Sequence, residues 1–504
     1  MQLLHEKVST DAARIPKRDS VHFIALLPRL VEMIEQSAAA GASASTSSSA
    51  SSSTDSGALS SVADAAAAET AVTAQTCLMA IDSMAGAFAA RLTDSSASSS
   101  SSAAFIDAFV DTLPAVQSCM AHTNRAVQGS ALLCLAAVVA ALKTNAIAHF
   151  PAFFPSVLAL LERGMAALRR KKSAATANAT AGDAKRSKVS ASSSSSSSAE
   201  GSDGSDADAD SDSDAETSSS SSSAADAAAE DAGAALVVDA SLCALETIVT
   251  VLPQFLNAHL APLLRALLHP TLLRREAALL SSSLGGGSGP ATGGSVSVGA
   301  SGTHTVQSTL GALAERVPAR LLLPAVFAAY RQCAANGAAS AVRLLDFLAH
   351  IVAQFGKEEA RTHHKEVFKF FLVAFDARRL NAIRFVPSSS SSTHNQPHAT
   401  AAQSIDAVES ACVRAFLALV VKLNEQQLKP LFLKLIEWVG LGAAASGDGF
   451  GGASSSLSAT ATAAASVVVG AASHDLCRAI MLFRTVDALL ERLRAFFVPY
   501  LVYV

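Results

Sequence analysis

Two short motifs contain residue types that could carry out chemistry. The sequence GDGFGG at 447–452 has the spacing of a dinucleotide-binding glycine loop, but such a loop must follow a strand and open a helix. Here it follows the helical pattern LFLKLIEWV inside a Gly/Ala/Ser-rich stretch. His363 and His364 are adjacent, whereas a helical metal-binding pair needs side chains one turn apart. We therefore predict no cofactor or metal site, and expect both histidines to be exposed near a helix start.

The nucleophile candidates lack partners as well. There is no Cys-x-x-Cys pair and no serine in a nucleophile-elbow sequence. Seven single cysteines on apolar patterns are typical of reduced core thiols in a cytosolic or nuclear protein. They are Cys77, Cys119, Cys134, Cys243, Cys333, Cys412 and Cys477. The sequence predicts no catalytic residue and no small-molecule substrate, and leaves open a catalytic domain on a longer chain.

Two basic clusters in a polar stretch could bind an import carrier. They are joined by a short Ala/Thr/Gly-rich spacer, which we expect to be flexible. This arrangement is typical of an extended nuclear import signal. The alternative is that the first cluster ends a helix, where cations suit the helix dipole. The predicted signal consists of Arg169, Arg170, Lys171, Lys172, Lys185, Arg186 and Lys188.

An acidic tract follows the basic clusters. The stretch 172–232 holds twelve acidic and four basic residues. Ser205, Ser211 and Ser213 each lie three residues before an acid, which acidophilic kinases favour, and each phosphate would add about −1.5 to −2 charges. The alternative is a solubilising linker. We predict phosphorylation at these three serines.

Outside that stretch the chain has a small surplus of basic residues. Pairs such as Arg274 with Arg275 and Arg378 with Arg379 could line a nucleic-acid path, which requires charges grouped along one surface. The alternative is solvated helix ends. The longest uncharged apolar run, 131–142, is too short to span a bilayer, and the first residues lack the pattern of a secretory signal. We therefore expect no membrane partner.

The helices expected to carry these residues are marked by prolines that recur at regular intervals. Seven of the fifteen prolines precede an apolar stripe. Once low-complexity stretches are removed, successive members lie 45, 41, 46, 38, 90 and 36 residues apart, where 90 is two units of 45, and this spacing is close to the period of about 40 to 47 residues in HEAT or armadillo repeats. The sequence thus predicts an all-α helical-repeat solenoid in which each proline opens a second helix. The prolines are Pro28, Pro114, Pro155, Pro262, Pro324, Pro430 and Pro499.

Low-complexity inserts divide the predicted array. They cannot bury enough apolar surface to offset the entropy of ordering, so we expect them to be disordered. The inserts are 37–66, 93–103, 172–232, 281–304, 387–402 and 441–473. The helical segments are 1–36, 67–171, 233–280, 305–386, 403–440 and 474–504.

Apolar residues at helical spacing are most frequent in the carboxy-terminal block, which begins at Glu409. Asn424 should cap a turn before a second stripe that begins at Pro430 and places Trp438 in an inter-repeat core. The expected core positions are Val413, Phe416, Leu417, Val420, Leu423, Leu431, Leu435, Leu482, Val486, Leu489, Leu493 and Phe496.

The same block resembles a known family. The sequences KLNEQQLKPLFLKLIEW at 422–438 and LFRTVDALLERLRAFF at 482–497 are similar to the carboxy-terminal block of the HEAT repeat-containing protein 1 family. The positions matching its pattern, which the resemblance implies to be structural, are Lys422, Leu423, Asn424, Glu425, Pro430, Trp438, Phe483, Asp487 and Glu491.

The resemblance implies a non-enzymatic scaffold in the nucleus and nucleolus. It would assist transcription and processing of precursor ribosomal RNA towards 18S rRNA within the U3 small-subunit processome. The implied partners are processome proteins, U3 small nucleolar RNA and pre-rRNA, bound directly or indirectly, together with the import carrier.

This sequence also departs from the family. Family members are longer at both ends, whereas this chain stops inside a helical pattern at Val504, so we expect a fragment or an incomplete gene model. The alternative function is a HEAT-repeat nuclear transport or cytosolic adaptor that binds protein cargo. Such a carrier is expected to lack its own import signal, which favours the scaffold.

Overall fold

The structure is a computed structural model that describes residues 25–47, 57–92, 99–189, 220–284, 304–381, 397–440, 461–494 and 497–503. Within these ranges the chain forms α-helices, short 3₁₀ segments and turns, with no strand. The prediction of an all-α fold is therefore confirmed. The chain divides into two compact units, Met1–Leu245 and Glu246–Val504.

The first unit is built from long helices. α2 packs against α1 and α4, and α3 packs against α4 and α5. Leu78, Ile81, Val116 and Phe154 are fully buried there. A 3₁₀ segment, Lys143–His149, joins α4 to α5. The helices are α1 (Leu27–Ser47), α2 (Gly57–Leu92), α3 (Ser99–Met120), α4 (Arg125–Leu142), α5 (Phe150–Val189) and α6 (Ser220–Val251), whose last turns belong to the second unit.

The second unit continues with shorter helices. α11 packs against α10 and α14, α14 packs against α12 and α16, and α15 packs against α16. Two 3₁₀ turns, Pro253–Phe255 and Asn257–His259, precede α7, and a third segment, Val498–Tyr503, follows α16. The helices are α7 (Leu260–Leu267), α8 (Pro270–Leu284), α9 (Val306–Arg316), α10 (Ala319–Asn336), α11 (Ala338–Ala353), α12 (Lys357–Phe375), α13 (Ala377–Asn381), α14 (Pro397–Val420), α15 (Glu425–Val439) and α16 (Ala461–Leu493).

Local signals set several helix ends in the second unit. Asn424 accepts a hydrogen bond from the backbone N–H of Gln427, whose side chain accepts one from the N–H of Asn424, so α15 begins with a capping box. The predicted cap at Asn424 is confirmed. Gly440 ends the helix with φ +87°, a conformation that glycine adopts without steric cost.

The prediction that each proline opens a helix is wrong for most of the set. Pro28 is the second residue of α1, but Pro114, Pro155, Pro324 and Pro430 lie inside their helices. All four internal prolines are exposed. A proline inside a helix frees the carbonyl four residues earlier, and on the exposed face water can satisfy that carbonyl.

Several helices also extend beyond the expected insert boundaries. α5 continues to Val189 and α6 starts at Ser220, inside the stretch 172–232. The margins of this stretch are rich in alanine, which has the highest helix propensity. The central parts of the predicted inserts, including 190–219 and 441–460, lie outside the described residues.

Two stretches, 125–169 and 232–251, are long and apolar enough to meet a length-and-hydropathy criterion for a membrane span. In each, 56% of the most apolar window is buried inside the structure. Helices that are apolar on all sides also occur in protein cores. In α4 the side chains of Leu132, Leu135 and Val138 are fully buried, so the same hydropathy is explained by packing.

Candidate functional site

The residues considered for chemistry are not brought together. Among the described residues no group of three or more His, Cys, Asp or Glu side chains could hold a metal ion, and GDGFGG at 447–452 lies outside the described residues. The expectation of two exposed histidines is wrong for His364, which is buried with its Nδ1 2.8 Å from the carbonyl oxygen of Arg361. His363 is half-buried, with Nδ1 3.8 Å from a Glu366 carboxylate oxygen.

The second unit instead contains a network of arginines and carboxylates, which we call the arginine network. Its first cluster is centred on Arg478 of α16. Arg478 donates from Nε and Nη2 to the two carboxylate oxygens of Asp376, each at 3.0 Å, and from Nη1 to the backbone oxygen of Trp438 at 3.1 Å. The guanidinium carbon also lies 4.9 Å from the centre of the Trp438 ring, within range of a cation–π interaction.

The second cluster surrounds Glu409 of α14, whose side chain is 1% exposed. Arg378 donates to both Glu409 oxygens, at 2.8 and 3.0 Å, and to Asp406 at 2.8 Å. Arg484 of α16 forms ion pairs with the same two carboxylates. A buried carboxylate is tolerated when its oxygens are satisfied by charged donors, and Glu409 meets that condition.

The network also shifts two pKa values. Hydrogen bonding to Glu409 raises the pKa of Arg378 above its ordinary value, against the opposing effect of burial. The pKa of the Asp406 carboxyl is lowered; burial alone would raise it, but Arg484 and Arg378 outweigh that effect. Arg378 and Asp406 are therefore charged at neutral pH.

Together the two clusters fasten α16 to the helices that precede it. Arg478 reaches the start of α13 and the end of α15, and Arg484 reaches α14. Arg379 donates to Asp376 at 2.9 Å, so the pair Arg378 and Arg379 is committed to contacts within the unit. It does not form an exposed basic path. Arg274 is exposed, and its Nε donates to the backbone oxygen of Pro270 in its own helix.

The arginine network was not predicted, although Glu409 carried a signal. It occupies a core position of α14, because Ile405 and Cys412, one turn before and after it, are buried. A charged residue at such a position indicates a partner of opposite charge. No local pattern identifies Arg478, because its partner Asp376 is 102 residues away.

The cysteine prediction is confirmed in its core placement. Five of the seven thiols are buried, and Cys243 and Cys477 are partly exposed. Burial raises the pKa of Cys119 to about 11 and that of Cys333 to about 12. Burial also raises the pKa of the Cys134 and Cys412 thiols well above the ordinary value. These thiols are poor nucleophiles at neutral pH, since the thiolate is the reactive form.

The predicted signal residues in the long insert are only partly described. Both basic clusters lie along α5, which is helical as far as Val189, whereas the spacer between them was expected to be flexible. Alanine is abundant in that spacer and favours the helix. Ser205, Ser211 and Ser213 lie outside the described residues. The import signal and the phosphorylation sites stay predictions.

The family-pattern residues fall into two environments. Asn424 caps α15. Trp438 is half-buried rather than enclosed in a core, and its ring lies against Phe375 and the guanidinium of Arg478. Phe483 is 58% exposed, and Asp487 and Glu491 are exposed on the same helix. Lys422, Glu425 and Pro430 are also exposed, and Leu423 is half-buried.

The arginine network lies within a recognised domain. Residues 359–504 match the BP28CT (NUC211) domain. Over 332 residues, or 66% of its length, the chain is 25% identical to the HEAT repeat-containing protein 1 homolog of Dictyostelium discoideum. It is 34% identical over 126 residues, 25% of its length, to U3 small nucleolar RNA-associated protein 10 of Schizosaccharomyces pombe. It is 25% identical over 198 residues, 39% of its length, to human HEAT repeat-containing protein 1.

The fold and these matches define a helical-repeat protein of the HEAT type. The matches support the resemblance of this chain to the family of HEAT repeat-containing protein 1 and U3 small nucleolar RNA-associated protein 10. It spans 11%, 6% and 8% of the lengths of the three relatives named above. These relatives and the matched domain indicate no enzymatic family. No solved structure matches the chain.

Proposed function

We propose that this chain is a non-enzymatic scaffold segment that acts in ribosome biogenesis, as part of the nucleolar small-subunit processome. The observation that carries the proposal is the BP28CT match over 359–504. A stretch of 126 residues of the chain is also related to a protein named for its association with U3 small nucleolar RNA. In this role the segment assists transcription of pre-rRNA and its processing to 18S rRNA.

The arrangement of the second unit supports a scaffold. Its buried and half-buried arginines and carboxylates fasten helices to one another, as Arg478 and Glu409 do. Stacked helices present long surfaces to partners without a single pocket. The proposed partners are other processome proteins, with U3 RNA and pre-rRNA bound directly or through those proteins.

Sequencing of bound RNA tests this function. The natural gene product would be tagged, recovered after cross-linking, and its RNA sequenced, while its location is recorded by microscopy. We expect enrichment of U3 RNA and of pre-rRNA upstream of 18S, with nucleolar fluorescence. A non-nucleolar protein without either RNA would overturn the proposal. Recovery of a varied set of import cargo instead would favour the transport adaptor.

A further inference from the structure

Helix α16 carries apolar side chains on two opposite faces. Its inner face packs against α14 and α15 through side chains that are at most 5% exposed, namely Met481, Leu482, Val486 and Leu489. On its outer face Leu476 is 62% exposed and Phe483 is 58% exposed. A helix that is apolar on both faces normally lies between two packed layers, and α16 has one of them.

The exposed apolar residues form a single line. Leu476, Ile480, Phe483 and Leu490 lie at positions i, i+4, i+7 and i+14, the spacing of one helix face. We call these four residues the outer stripe. Ile480 and Leu490 are half-buried, so the two most prominent side chains are Leu476 and Phe483. A stripe of this spacing matches the side of a second helix, since helices pack with their ridges in one another's grooves.

Two carboxylates lie on and beside the outer stripe. Asp487, at i+11, lies on the same line between Phe483 and Leu490, and Glu491 lies one turn further, at the edge of the stripe. Both are exposed, and neither forms an ion pair among the described residues. Arg484, one turn before Asp487, is already bound to Glu409 and Asp406. Asp487 and Glu491 therefore give this end of the stripe an acidic rim, and a partner with basic residues beside its apolar side chains would complement it.

A second copy of this helix fits the stripe poorly. Antiparallel pairing about Phe483 would place Asp487 of each copy beside Leu476 and Ile480 of the other, while Arg478 in the same turn is already bound to Asp376. Parallel pairing would bring identical carboxylates together, which is unfavourable. Neither arrangement supplies a cation to Asp487 or Glu491.

We propose that the outer stripe is a docking surface for an amphipathic α-helix of a partner protein, with lysines or arginines beside its apolar face. Phe483 is the anchor, because a large aromatic side chain in the centre of an interface carries much of the binding energy. The surface also explains why Phe483, Asp487 and Glu491, which match the family pattern, are not used in the packing of α16. This inference rests on the proposed scaffold function.

Photo-cross-linking at the anchor tests the docking surface. Benzoylphenylalanine would replace Phe483 in the natural gene product in cells, with Lys365, an exposed residue of α12, replaced in the same way as the control. We expect a discrete cross-linked product from position 483, whose peptide comes from an amphipathic, basic helix of another protein. Cross-links to a second copy or to other residues of the same chain would overturn the proposal, as would a yield no higher than the control.

Charge reversal then tests the acidic rim. Asp487→Lys with Glu491→Lys should lower the cross-link yield by about tenfold or more, since the swap replaces attraction by like-charge repulsion. Glu437→Lys, at an exposed position of α15, should leave the yield unchanged. An unaltered yield in the double variant would contradict the proposed partner chemistry. U3 RNA recovery is measured in parallel: RNA present without the cross-link refutes this surface alone, and RNA absent from the wild type refutes the scaffold function.

Discussion

Arg478 and Asp376 are 102 residues apart and meet through two parallel hydrogen bonds of 3.0 Å, from Nε to Oδ1 and from Nη2 to Oδ2. The Asp376 side chain is 9% exposed and that of Arg478 is 29% exposed. This bidentate contact is therefore largely shielded from water, and it holds α16 at the start of α13. An arginine suits the position because its planar guanidinium matches both carboxylate oxygens, which a lysine cannot do.

Arg478→Ala should destabilise the second unit by about 3 to 5 kcal/mol, because it leaves the buried Asp376 carboxylate without its main cation. Arg478→Lys should retain part of the interaction. Urea unfolding followed by fluorescence checks this, since the chain has a single tryptophan and Arg478 stacks on it. The matched control is Arg414→Ala, whose ion pair with Asp346 is exposed on both sides and should be worth at most about 1 kcal/mol. Equal losses for Arg478→Ala and Arg414→Ala would contradict a shielded contact.

Stability in acid should depend on Asp406. Its pKa is lowered in the folded state, where Arg484 and Arg378 outweigh the opposing effect of burial. A carboxyl with a depressed folded pKa contributes stability above its unfolded pKa of about 3.9 and loses it as the pH falls through the folded value. Asp406→Asn should therefore be less stable than the wild type at pH 7, and the difference should shrink below about pH 4.

Unfolding midpoints from pH 7 to pH 3 measure this difference. The Asp406 side chain is 47% exposed, so 1 M salt should reduce the effect at pH 7 by screening. Asp487→Asn, at an exposed position without an ion pair among the described residues, should follow the wild-type profile. A gap between wild type and Asp406→Asn that is as large at pH 3 as at pH 7 would show that the lost contribution is not electrostatic.

The fold was more predictable than the arginine network. Helical periodicity is local, so Phe416, Leu482 and Val486 were assigned to core faces from sequence, and all three are buried. The cap at Asn424 is equally local. Ion pairs such as that of Arg478 with Asp376 depend on which helices become neighbours, and local spacing does not encode that. Trp438 illustrates the consequence: its place in the apolar stripe predicted a core position, but it is half-buried, with an arginine from another helix against its ring.

Close packing in the first unit requires a glycine at position 164. A Cβ atom there would lie 2.8 Å from Cγ2 of Val238, so α5 and α6 could not approach as they do. Gly164→Ala should cost about 1 to 3 kcal/mol through overpacking. Adding Val238→Ala should recover part of the loss, and the coupling is read from a double-mutant cycle.

Gly86→Ala in α2 is the matched control for Gly164. No atom lies within 4 Å of a Cβ placed there, and alanine is favoured over glycine inside a helix by about 0.5 to 1 kcal/mol. This variant should therefore raise the thermal unfolding midpoint while Gly164→Ala lowers it. If both substitutions stabilise the unit, the contact between α5 and α6 is looser than the distance indicates.

The predicted import signal has a direct cellular test. Residues 165–235, fused to a reporter, contain both basic clusters, and Lys185, Arg186 and Lys188 supply the second. Their replacement by alanine should move the reporter from the nucleus to the cytoplasm, because a carrier that recognises both basic clusters loses the whole second cluster, three of the seven basic residues. Lys185→Arg, Arg186→Lys and Lys188→Arg together keep the charge and should preserve import. If alanine leaves the reporter nuclear, the clusters are not an import signal, and the first is better explained by favourable cations along α5.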